Sequence, residues 1–359
     1  MTVKNGERKM GNQVLLQPIS MGAWKLRNRI AMAPMTRTFA DDQTGVVGPD
    51  VVEYYRKRAA DGVGLIITEG IVISPRAKGT KGVPGLFTME QIEGWKKVTE
   101  AVHQAGGVIV AQIWHVGRLS HHEIAGGLPP QAPSALRAEG HVHRLGKPYD
   151  TPEEMSLADI QEVIQQYVQA ARHARMAGFD GVEIHGAHGY LIDQFHSDTS
   201  NHRQDKYGGD LRQRLTFMKE VTKAVIAEVG ADRTIMRFSA LKDDQREYMW
   251  EDPVAAVQTF VEAFKEAGLT MLHPSTMNFD QVIAEGKTLH ELVREYWDGS
   301  IIGVGNLSPA RAEQAVQDGI MDVAAFGRPF LANPDLVSRV TQGEDLVAYN
   351  GREHLQVLV

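Results

Sequence analysis

The densest cluster of chemically capable side chains in the sequence is His185-Gly-Ala-His188, followed two residues on by Tyr190. Histidines at this spacing can chelate a metal, but zinc and iron sites want a third protein ligand. Barrel metal hydrolases often place His-x-His on their first strand, whereas the first apolar run here ends in Pro34-Met35-Thr36-Arg37. Packing or simple hydrogen bonding is a second reading of the pair. The favoured one is a pair of imidazole N–H donors facing an electron-rich oxygen such as a carbonyl, with no metal. Tyr190 is then placed to supply a proton, although a tyrosine is more often a half-buried packing residue. Gln112 and Arg237 interrupt otherwise apolar runs, and a buried polar group needs partners. An internal polar network would satisfy them. So would a flat heterocycle rich in acceptors, such as the pyrimidine edge of a flavin. Gly305-Asn306 and Gly327-Arg328 expose backbone N–H groups and add a forked cation, a combination suited to phosphate. Arg328 is alternatively a surface ion-pair residue. Trp114 either walls a substrate or serves packing alone.

These residues are far apart in sequence, so the fold has to gather them. Eight short apolar runs read as strands buried on both faces: 29–37, 64–71, 108–115, 181–186, 234–240, 269–275, 301–306 and 322–330. Amphipathic stretches alternate with them, at 91–104, 211–229, 253–266 and 309–317. The clearest helix starts at Ser156-x-x-Asp159, carries Ile160, Val163, Ile164, Tyr167, Val168, Ala171 and Ala174 on one face, and ends at Gly178. Eight β–α alternations are most economically a closed (β/α)8 TIM barrel in a single 1–359 domain, with an open doubly wound sheet as the competitor. No Gly-x-Gly-x-x-Gly turn follows the first run, which disfavours that competitor. Residues 14–28 read as an N-terminal hairpin closing the bottom of the barrel. Two long excursions follow the third and fifth runs, and the first, 117–152, reads as a capping insertion over the mouth. In a barrel the C-terminal strand ends share one mouth, so the residues singled out above converge there.

The composition narrows the partners. Acidic residues outnumber basic ones by 45 to 38, a net charge of −7 that disfavours nucleic acid or an anionic membrane as the main partner. The absence of cysteine excludes disulfides, Cys-ligated zinc, iron–sulfur clusters and thiol catalysis, and suits a reducing, cytoplasmic setting. Met1–Gly11 is polar, and no stretch has the apolar length of a membrane span, so neither a leader nor a transmembrane helix is expected. A monomer or homodimer acting on a small molecule is expected.

Several motifs carry a family resemblance. Ala33-Pro34-Met35-Thr36-Arg37, Gln112-Ile-Trp-His115, the stretch from Gly178 to Tyr190, Ser200-Asn-His-Arg203 with Asp205-Lys-Tyr-Gly-Gly209, Met236-Arg-Phe-Ser239 and the run from Phe326 to Asp335 together resemble the old yellow enzyme family of flavin-dependent ene-reductases. The similarity runs from about Leu15 to Arg339. It looks closest to bacterial members typified by N-ethylmaleimide reductase and pentaerythritol tetranitrate reductase. The resemblance implies a non-covalent FMN and NADPH or NADH as hydride donor. It places Pro34, Met35 and Thr36 along the isoalloxazine, gives Gly70 close backbone access, and puts Gln112 and Arg237 on the pyrimidine side. Gly305, Asn306, Gly327 and Arg328 would hold the phosphate. His185 and His188, with Thr36 and Trp114 nearby, would bind the carbonyl or nitro oxygen of an activated alkene. Hydride would pass from flavin N5 to Cβ, and Tyr190 would protonate Cα. The 349–359 tail departs from the Gly-rich, Tyr-containing segment usual in the family, and Thr36 sets the chain apart from the thermophilic-type branch, which has Cys there. Another chemistry on an FMN barrel, such as α-hydroxy acid oxidation or isomerisation, or a flavin-binding module without turnover, are the competing readings.

Overall fold

A computed structural model describes residues 13–359, and the polar Met1–Gly11 segment lies outside them. Eight parallel strands form a closed barrel: β1 (Ile30–Met32), β2 (Leu65–Val72), β3 (Ile109–Trp114), β4 (Gly181–His188), β5 (Thr234–Lys242), β6 (Met271–Pro274), β7 (Ser300–Gly303) and β8 (Val323–Phe326). Each strand pairs with its sequence neighbours, and β8 closes on β1 through Ala324 opposite Ile30. This is the (β/α)8 architecture expected from the alternation, and the open-sheet competitor is set aside.

Helices α1 (Pro49–Ala60), α2 (Met89–Gln104), α3 (Leu157–Met176), α4 (Thr216–Val229), α5 (Pro253–Ala267), α6 (Leu289–Tyr296) and α7 (Pro309–Gln317) follow strands one to seven. α3 begins as its sequence indicated: Ser156 and Asp159 form a reciprocal capping box, which satisfies two N-terminal N–H groups. Gly178, at φ +86°, then turns the chain into β4, a conformation costly for a side chain with a Cβ. The stretch expected as one helix over 211–229 is interrupted at Leu215, leaving the single turn Leu211–Arg214 ahead of α4. The first apolar run is strand only as far as Met32. Ala33–Arg37 continues without regular pairing and crosses the mouth.

Side chains alternate across each strand, so one set points into the barrel. Ala31, Leu65, Ile67, Val110, Ile235, Met271, Ile302 and Val323 fill its interior. The hairpin Ile19–Met21/Trp24–Leu26 adds Met21, Trp24 and Leu26 to that cluster and closes the end where the strands begin. Trp24 Nε1 donates to Asp180 O at 3.1 Å, and Ala23 N to Asp232 O at 2.8 Å, tying the hairpin to the residues that precede β4 and β5. No helix among the described residues is long and apolar enough to cross a membrane. With one end plugged, the opposite mouth is where a ligand can enter.

Candidate active site at the barrel mouth

Above the apolar filling, the interior turns polar. Gln112 on β3, Glu183 on β4, Arg237 on β5 and His273 on β6 all point inward and are buried. Gln112 Nε2 donates to Glu183 Oε1 at 2.8 Å, and His273 Nδ1 lies 2.6 Å from Glu183 Oε2. Burial pushes the Glu183 carboxyl up, but His273, Arg237 and Gln112 outweigh it and hold it below its usual range. Burial, opposed by Glu183, holds His273 below its ordinary value. The pair is therefore carboxylate and neutral imidazole, with Nδ1–H donating to Glu183 and Nε2 facing Arg237 Nη1 at 3.4 Å. Arg237 Nη2 donates to Ser275 Oγ at 3.0 Å, while its Nε is buried without a partner. Glu183 and His273 were not singled out in the sequence. The signal was there in register: each lies two residues before a mouth residue, His185 and Ser275, on the same strand face.

The aromatic wall stands over this floor. His185 and His188 ring centroids are 5.3 Å apart, Tyr190 is 5.0 Å from His185, and Trp114 stacks on His185 at 6.0 Å with 20° between planes. Burial, with help from Arg237 and His273, holds both histidines well below their ordinary value, so both are neutral donors near pH 7. Ala187 N donates to His185 Nδ1 at 3.4 Å, which leaves the ring proton on Nε2. His188 Nε2 lies 3.0 Å from Ser275 Oγ, a hydroxyl that already accepts from Arg237 and has its own proton to give. The backbone positive φ of His188, +63°, accompanies a register shift in β4 that turns its ring to the mouth beside His185. Burial raises the Tyr190 phenol well above its ordinary value, and Asp243, which accepts from Tyr190 Oη at 2.9 Å, raises it further.

Two adjoining cavities occupy the mouth. The smaller, about 100 Å³, is lined by Thr36, Gln112, Trp114, His185 and Tyr190, together with Pro34, His188 and Arg237. Those last three also line the larger, about 270 Å³, which reaches Met35, Gly305, Asn306, Gly327 and Arg328. The structure thus gathers the singled-out residues around one space, except Gly70, which borders neither cavity. A Cβ on Gly70 would lie 2.5 Å from the Trp114 ring, so this glycine makes room for Trp114. Among the described residues, His185 and His188 belong to no group of three ligating side chains. Among the described residues such a group forms at His121, His122 and Asp150, where Glu123 N already donates to His121 Nδ1 at 3.2 Å. At the far end of the larger cavity, Gly305 (φ +145°) and Asn306 (φ +49°) twist so that their N–H groups donate to no described residue. The orphaned Nε of Arg237 and these free N–H groups fit a ligand with a ring full of acceptors at one end and an anion at the other.

Comparison with known proteins gives that ligand its chemistry. Residues 14–346 match the NADH:flavin oxidoreductase / NADH oxidase family. The chain is 37% identical to flavin oxidoreductase hxnT of Emericella nidulans, over 94% of this chain and 92% of that one. It is 38% identical to 12-oxophytodienoate reductase 7 of Oryza sativa subsp. japonica, over 93% and 89%. Among solved structures it resembles morphinone reductase in complex with tetrahydroNAD (38% identity, TM-score 0.86, covering 95% of this chain and 93% of that one). It also resembles the old yellow enzyme homologue of Zymomonas mobilis (34%, TM-score 0.83, 96% and 99%). The chain belongs to the NADH:flavin oxidoreductase / NADH oxidase family, as a TIM-barrel oxidoreductase of the old yellow enzyme type that works with FMN and a nicotinamide cofactor.

Proposed function

We propose that the protein is an NAD(P)H-dependent ene-reductase that reduces the activated C=C bond of α,β-unsaturated ketones, aldehydes, imides and nitroalkenes. The observation that carries the reading is the convergence of two neutral imidazoles and one phenol on the cavity underlain by Arg237. Pro34, Met35, Thr36, Gln112 and Arg237 would hold the flavin ring, and Gly305, Asn306, Gly327 and Arg328 its phosphate. FMN, when bound, supplies the hydride-transfer chemistry.

The rest falls to the protein. His185 offers Nε2–H, and His188 its remaining N–H, to the carbonyl or nitro oxygen, where negative charge grows as the β-carbon is reduced. Because both rings are already neutral and desolvated, their dipoles need little rearrangement during the reaction. Tyr190 gives its phenolic proton to Cα. Trp114, stacked on His185, walls the substrate on one side. The 117–152 excursion is proposed to cap the mouth. Its support is the ion pair of Arg118 with Asp244, 2.6 Å apart and both buried, which joins it to the loop after β5.

Anaerobic titration with NADPH tests the activity: the yellow absorbance should bleach and return on adding cyclohexenone. Retained colour with no nicotinamide oxidation would sink the proposal. Replacing Tyr190 by Phe should lower the ratio of the oxidative to the reductive half-reaction rate by about 100-fold, within the range of a general acid. Stopped-flow traces in which the reductive half slows instead would remove Tyr190 from the donor role.

A further inference from the structure

We propose that Asp243 is the relay that returns a proton from solvent to Tyr190, and that in its ionised state it holds the phenol away from the substrate. The inference rests on the reading of Tyr190 as proton donor. Its basis is geometric. Tyr190 Oη donates to Asp243 Oδ2 at 2.9 Å, and no second polar partner of that hydroxyl occurs among the described residues. Asp243 N donates to His188 O at 3.0 Å, which pins the start of the loop after β5 to the end of β4. Asp243 is itself solvent-exposed, so it touches the half-buried phenol on one side and solvent on the other. The Tyr190 ring is packed edge-on against Trp114 and His185, at 4.9 and 5.0 Å, which leaves Asp243 as its polar outlet.

When the phenol O–H breaks and a C–H bond forms at Cα, Tyr190 is left as a half-buried phenolate beside a carboxyl group. That state is costly unless a proton follows. Neutral Asp243 supplies it: its O–H breaks, the phenol O–H reforms, and the resulting carboxylate takes a proton from solvent at its exposed face. One water-derived proton is consumed per alkene reduced, and Asp243 is unchanged at the end. The relay requires the protonated carboxyl, because the carboxylate accepts the phenol's proton and opposes its loss.

The groups facing Asp243 set when this occurs. They are Asp244 and Arg246 on its own loop, Asp193 on the short helix Leu191–His196, Arg237 from the barrel floor, and Tyr190. Tyr149 of the 117–152 excursion lies on the same side. Burial and the neighbouring acids raise the Asp243 carboxyl above its usual range against the pull of Tyr190 and Arg246. The oxidative half-reaction should therefore slow as pH rises through that raised carboxyl range.

The test is stopped-flow reoxidation of the reduced holoenzyme by cyclohexenone from about pH 5 to 8, with reduction by NADPH as the internal reference. In Asp243→Asn the oxidative-to-reductive ratio should fall about tenfold at the acid end and lose its pH dependence. Asp243→Glu should restore a pH-dependent limb. Tyrosinate absorbance, blanked against Tyr190→Phe, should show the phenol ionising at lower pH in Asp243→Asn. A uniform slowing with the wild-type pH profile retained would mean that Asp243 is only structural and would overturn the relay. If Tyr190→Phe reoxidises as fast as wild type, the donor reading itself fails and takes the relay with it. If Tyr190→Phe is slow while Asp243→Asn keeps the wild-type profile, the relay alone is wrong.

Discussion

His185 and His188 differ in what fixes them, and so should differ in what their loss does. His185 is oriented locally, through the Ala187 N–H on its Nδ1 and the Trp114 stack, whereas His188 is held through Ser275 by the Arg237 floor. Either His→Ala substitution should weaken binding of a phenol, an oxyanion mimic, by about tenfold or more. A hydrogen bond to a charged group contributes about 1.5–3 kcal/mol. The long-wavelength charge-transfer absorbance on titration with p-chlorophenol reads this out, and unchanged affinity in both variants would refute the donor assignment. His188→Ala should in addition free Ser275 and disturb Arg237, so its effect should extend to FMN retention while that of His185→Ala should not. These two residues and Tyr190 were legible in the sequence because three polar groups crowd one strand end. Glu183 and His273 were not, because a single polar residue inside an apolar strand does not say which other strand will supply its partner. Gln112 and Arg237 were read as flavin ligands or as an internal network. The structure places them in the network, through Glu183 and His273, and on the cavity as well.

Element positions were the more legible level. Strands buried on both faces show as unbroken apolar runs, and capping residues mark helix starts, so β2, β5, α3 and α7 lie within a residue or two of their expected limits. The first run misled because its apolar residues continue past Met32 for a different purpose: Ala33 to Thr36 line the mouth as irregular chain. Gly70 shows how one element shapes another. It follows a register irregularity in β2, and its missing Cβ is the space that the Trp114 ring of β3 occupies. Gly70→Ala should cost about 1–3 kcal/mol as an overpacking substitution. Because Trp114 touches both His185 and Tyr190, the displaced ring should also raise KM for bulky enones more than for small ones. Urea unfolding and a substrate series together check this. Loss of stability with KM unchanged across the series would confine Gly70 to packing.

At the scale of the whole molecule, Glu69 and Arg37 tie the beginning of the barrel to the last residues described. Glu69, buried on β2, accepts from the backbone N–H of Arg37 at 2.9 Å and of Thr38 at 3.3 Å, just past the mouth residue Thr36. Arg37 Nη2 in turn donates to His354 O and Val357 O, at 2.8 and 2.7 Å, so the tail is tied to the segment that leaves β1 and, through Glu69, to β2. Burial outweighs these donors and pushes the Glu69 carboxyl from 4.5 up to about 7. A carboxyl raised on folding stabilises the native state below its unfolded value, and that contribution is lost as pH rises through the folded one. Between about pH 4.5 and 7 the folded protein binds the extra proton, so stability should decline across that window. The gap corresponds to roughly 3 kcal/mol for a fully buried group. Glu69→Gln keeps an acceptor oxygen for Arg37 and Thr38 but cannot ionise. Thermal melts at stepped pH should then show wild type and variant diverging from pH 5 upward, with the variant more stable at pH 8 and nearly equal at pH 5. Parallel curves would mean that Glu69 carries its charge in the folded state throughout, held there by Arg37, and that the tie from β2 through Arg37 to the tail does not depend on pH.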